Sequence, residues 1–179
     1  MKKHFYLLMF LLVCATLGYA QQSKIDSLHL ALKNANHDTT KCDIYLTWGE
    51  QIYYEFPDSA VSLWQKAQAL AEKNISHDKT KKYPYLIRLA NALSDIGTVY
   101  HHQGKISSAL ECLYKSLKVC EELNQKAAIS ITLNNIGAIY FDQEDFQKAL
   151  DCYEKSLKIN IELNDKRWVG NLLNNIASI

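Results

Sequence analysis

The sequence predicts an all-α fold, a right-handed solenoid of stacked antiparallel helix hairpins. Three observations predict it: apolar residues recur at helical spacing, the chain matches itself when shifted by forty positions, and only two prolines interrupt 179 residues. The composition is that of an ordinary globular protein, 48% hydrophobic and 22% charged, which excludes disorder and collagen.

Taken in order, the elements begin with an address. Lys2 and Lys3 precede an apolar run from Phe5 to Leu17, closed by Gly18, Tyr19 and Ala20. This reads as a secretory signal peptide over 1–20, cleaved near Ala20, so the rest is expected in the periplasm or at the cell surface. Thirteen apolar residues make a helix of roughly 20 Å, short of the roughly 30 Å hydrocarbon layer. Cys14 follows Val13 where a lipoprotein signal needs a small residue, and the apolar run continues past it. Without the leader, 18 bases face 19 acids. That near-neutrality argues against nucleic acid and against an anionic membrane surface as partners.

Residues 21–41 read as an N-terminal helical segment, 42–75 as a degenerate hairpin, and 76–89 as a linker and helix extension. The repeats follow at 90–129 and 130–169, and a further unit starts at 170–179. Leu93, Ile96, Gly97 and Tyr100 return as Leu133, Ile136, Gly137 and Tyr140. Ala109, Cys112, Ser116 and Leu117 return as Ala149, Cys152, Ser156 and Leu157, and a third copy opens with Leu173 and Ile176. Fixed-period similarity of this kind marks a stacked repeat protein.

Within a unit, Leu86, Leu89, Leu93, Ile96, Gly97 and Tyr100 lie on one helix face, and Ala109, Cys112, Leu113, Ser116 and Cys120 lie on one face of a second helix. Gly104 centres the turn between them, Asp145 is the N-cap of the matching helix in the next unit, and Asn124 and Asn164 can end the second helices in left-handed geometry. Gly97 and Ala109 should face each other where the two backbones approach most closely. Cys42, Cys112, Cys120 and Cys152 have no bridging or zinc spacing and are expected as buried free thiols.

The recurring pattern Leu93-x2-Ile96-Gly97-x2-Tyr100 with Ala109-x3-Leu113, and again Leu133-x2-Ile136-Gly137-x2-Tyr140 with Ala149-x3-Tyr153, resembles the tetratricopeptide repeat (TPR) signature. Gly49, Ala60, Trp64 and Ala67 hold the same places more weakly, with Pro57 and Asp58 starting a second helix. Two departures stand out. The period is forty rather than about thirty-four, and the proline that often ends a unit is absent. Longer helices would absorb the extra residues, as in the long units that kinesin light chain resembles. An exported leader before such an array is also similar to the sensory portion of TPR histidine kinases and regulators of Bacteroidota. Because the chain stops inside a first helix, we expect a fragment, with self-association through the uncapped end.

The resemblance implies a concave groove lined by first helices. Its contact places fall on Asn91, Ser94, Asp95, Thr98, His101 and His102, on Asn134 and Asn135, and on Asn171, Asn174 and Asn175. Amides carry both donors and acceptors and can pair with an extended peptide backbone. The other reading of Asn135 and Asn175 is that they satisfy neighbouring helix backbones or are solvated. The carboxylate clamp of TPR cochaperones needs basic residues at several of these places, which are absent here. His101 and His102, adjacent on a helix, point about 100° apart and cannot share a metal without a third ligand, so they are expected as solvated imidazoles. Asn74-Ile75-Ser76 is a glycosylation sequon by pattern, and Lys79 to Lys82 a short basic run.

No HExxH, P-loop, GxSxG, GxGxxG or kinase signature occurs. The expectation is a noncatalytic scaffold that binds a protein or peptide and needs no cofactor, metal or small-molecule substrate. A sensory ectodomain separated from a kinase or regulator output domain is the alternative.

Overall fold

Helix length and turn length set the repeat. In the computed structural model, which describes residues 23–77 and 82–179, the chain is helical over 23–34 (α1). Then follow α2 (Asp38–Ile52), α3 (Pro57–His77), α4 (Lys82–His102), α5 (Ile106–Glu122), α6 (Lys126–Asp142), α7 (Phe146–Glu162) and α8 (Lys166–Ala177). The leader expected over 1–20 and most of the basic run at Lys79 lie outside the described residues. From Ile106 to Asp165 each helix has 17 residues and each turn three, so one helix and its turn make half of the forty-residue period. The long helices account for the departure from the shorter common unit. In the stretch expected as linker and helix extension, α3 runs to His77 and α4 begins at Lys82.

The turns explain why helices stop where they do. Gly104, Asn124, Glu144 and Asn164, twenty apart, have φ of 71°, 52°, 58° and 54°. At each, the next amide reaches back five residues, as in Lys105 N to Tyr100 O and Asp145 N to Tyr140 O, while the left-handed residue bonds three back. This is the Schellman ending that caps helix carbonyls. Two of the four are asparagine, which tolerates the left-handed region better than other non-glycine residues. Asp145 and Asp165 then cap the following helices by accepting from Lys148 N and Trp168 N.

The helices stack in two layers, with α2, α4, α6 and α8 on one side and α3, α5 and α7 on the other. Each packs on its chain neighbours, and α4 also touches both α2 and α6. A right-handed α-solenoid of antiparallel hairpins results. Its apolar core is segmented. One cluster surrounds Trp64, Leu93 and Ile96, a second joins Ala109, Leu113, Ile136 and Ile139, and a third joins Ala149, Tyr153 and Leu172. Tyr100 packs on the first two clusters and Tyr140 on the last two, so the signature tyrosines seal adjacent segments together.

Polar atoms inside the stack repeat with it. Buried Ser116 donates to Ala90 O at 2.8 Å, and its equivalent Ser156 donates to Ser130 O at 2.9 Å. Buried Asn160 adds bonds to Ser156 O and to the Ser130 hydroxyl. Trp64 donates to Leu46 O at 3.1 Å. The four described cysteines are free, Cys42 and Cys120 buried and Cys112 and Cys152 partly so, and burial raises the Cys42 thiol to about 11.

Candidate peptide-binding groove

The first helices share one face because α4 packs between α2 and α6. Side-chain bonds run across that face from helix to helix. Arg88 on α4 reaches Asp43 on α2 at 2.6 Å and the Thr39 carbonyl at 3.2 Å. His101 on α4 meets Asp142 on α6 at 2.7 Å, and Asn175 on α8 donates to Asn134 on α6 at 2.9 Å.

The eleven residues expected to line the groove do not converge on one pocket. Asn91 and Ser94 edge a 90 Å³ cleft with Ile131 and Thr132, between α4 and α6. The Ser94 carbonyl accepts from the Thr98 hydroxyl at 3.0 Å, and Thr98 lines a separate cavity toward α2. His101 is half-buried and paired with Asp142, which corrects the expectation of a solvated imidazole; His102 is exposed. Among the described residues no group of three or more His, Cys, Asp or Glu is placed to hold a metal ion.

The amide ladder divides in two. Asn134, Asn135 and Asn175 are joined laterally, with Asn134 donating to Asn135 at 3.5 Å while accepting from Asn175. These amides tie α6 to α8, a role neither of the two sequence readings named. Asn171 and Asn174 are exposed, and among the described residues nothing bonds their side-chain amides. Asn74 of the sequon sits within α3 and gives its amide to Asp38 at 3.1 Å and Leu70 O at 2.8 Å.

Glu50 and Tyr53 escaped the sequence reading. Both line the Thr98 cavity with Trp64, Asp95 and Val99. Their signal was available: placing Gly49 on Gly97 puts Glu50 at the place of Thr98 and Tyr53 at that of His101. Asp95 is the most perturbed carboxyl of this face. Burial first and the nearby Glu50 second raise it from 3.8 to about 7.

Hairpins stacked in register, with the first helices forming one layer, define a helical-repeat protein of the kind that typically serves as a protein-interaction scaffold. A sequence model of the tetratricopeptide repeat matches residues 88–162 and, overlapping, 128–179. The chain belongs to the tetratricopeptide repeat family. No curated protein matches its sequence.

Among solved structures, the apo form of RapI matches 88% of this chain and 43% of its own length, with TM-score 0.74 and 17% identity. BtubC from P. vanneervenii matches 86% of this chain and 61% of its own length, with TM-score 0.69 and 16% identity. The N-terminal domain of stress-induced protein-1 from C. elegans matches 79% of this chain and 98% of its own, with TM-score 0.50 and 17% identity. The chain thus spans less than two thirds of the first two structures. At these identities the likeness is one of fold.

Proposed function

We propose that the protein is an exported, noncatalytic scaffold that holds an extended peptide or protein segment against its concave wall. The observation that carries this is the shared face of α4, α6 and α8, on which amides recur in register with the repeat, Asn134 and Asn135 returning as Asn174 and Asn175. Exposed Asn171 and Asn174 offer donors and acceptors to a peptide backbone. Lys2, Lys3 and the apolar run to Leu17 support export.

The test uses peptides selected on the chain from a displayed random library. Replacing Asn171 and Asn174 with Ala should weaken the selected peptides by about 1–3 kcal/mol without moving the melting temperature, because both side chains are exposed. Asn134 is a poor choice for this test, since its oxygen already binds Asn175 and its loss would loosen α8. Unchanged affinity in the double variant would discard the groove.

A further inference from the structure

We propose that the cavity between α2 and α4 is a subsite for an arginine side chain of the bound segment, with the guanidinium held by Asp95 and Glu50 against Tyr53. The proposal rests on the groove reading and names the partner chemistry at one point of it. The cavity measures 160 Å³ and is lined by Glu50, Tyr53, Trp64, Asp95, Thr98 and Val99. That lies below the roughly 300–1,000 Å³ of small-molecule sites, so it suits one side chain. None of the lining residues is basic.

The lining wants a cation with donors to give. Asp95 is half-buried, and among the described residues the charge that acts on it is Glu50, of the same sign, and no hydrogen-bond donor pairs with it. A partly desolvated carboxylate beside a second one is less favourable until a positive charge arrives. The rings beside it can take such a charge on their faces. Trp64 spends its indole N–H on Leu46 O and so offers the cavity its ring alone.

A second cavity of 240 Å³ shares Tyr53 and Val99 and adds Tyr54, Pro57, His102 and Gln103. Gln103 donates from Nε2 to Asp58 at 2.9 Å, which fixes the amide and leaves its buried Oε1 without a partner among the described residues. Among the described residues the one buried atom left unmatched along this wall is therefore an acceptor. Arginine brings five donors in a planar fork that can meet two carboxylates and stack on a ring, whereas lysine brings a compact point charge.

The experiment follows backbone amides 95–99 and the Trp64 indole by NMR. The chain is titrated with a short acetylated alanine peptide carrying one arginine, with its neutral citrulline counterpart, and with calcium alone. The arginine peptide should shift these signals and bind about tenfold or more tighter than the citrulline peptide. Asp95→Asn and the exposed-site variant Glu50→Gln should each remove that preference, with no loss of melting temperature. Equal binding of the two peptides, a preference that survives both variants, or shifts with calcium but not arginine would each overturn the subsite. A library-selected peptide that stays bound with citrulline in place of arginine would sink the subsite and keep the groove. Loss of the groove would instead show as insensitivity to the Asn171 and Asn174 changes while the arginine shifts persist.

Discussion

At Gly97 a single hydrogen decides whether two helices can close. A Cβ there would lie 2.8 Å from Leu113 Cγ and 3.2 Å from the Ala109 carbonyl, and one at Gly137 would lie 2.7 Å from the Tyr153 ring. Gly97→Leu should therefore cost about 1–3 kcal/mol or more through overpacking, read from urea unfolding. Asp95 carries a second prediction. Its folded value is raised to about 7 from 3.8, so the protonated form is favoured by folding. The stabilisation it gives is full below about pH 4 and is lost as pH rises through 7. Stability should fall by roughly 2–4 kcal/mol between pH 4 and 8 through this group, and Asp95→Asn should flatten that slope. Gly97 and Ala109 were legible because their role follows from spacing along one chain segment. The Asp95–Glu50 pair was not, because the two belong to different hairpins and only stacking brings them together.

Among the elements, the turns are the most regular feature. Left-handed residues at every twentieth place end α4 to α7, yet Gly104 and the two asparagines give way at Glu144 to a residue with no preference for that region. Glu144→Gly removes the Cβ strain and should raise stability by about 0.5–1 kcal/mol, measured as an upward shift in the denaturation midpoint. An unchanged midpoint would mean that the strain is relieved elsewhere. Helix faces and the Asp145 cap could be read from periodicity, since burial of one face repeats every three or four residues. The serines at 116 and 156 looked like ordinary face residues; only the structure reveals that each hydroxyl is spent on a carbonyl of the preceding helix.

For the whole molecule, segmentation of the core matters most. Each apolar cluster joins the next through Tyr100 or Tyr140, so the hairpins support one another in sequence along the stack. The stacked architecture was legible because the forty-residue echo is itself a statement about neighbours. The proposed binding face was legible only in outline: the places were named, but Asn134 and Asn175 turn out to bind each other, and the aromatic-acidic cavity beside α2 went unread. Side-chain pairing between helices depends on the angle of the stack, which one-dimensional spacing does not encode.

Photo-crosslinking of a library-selected peptide tests the concave wall most directly. A crosslinking residue would be placed at exposed Asn91 or Asn171 on the first helices, and at exposed Glu111 or Asp151 on the second helices. Capture from Asn91 and Asn171 with none from Glu111 and Asp151 is the expected result. Capture from the second helices alone would contradict recognition by the inner wall.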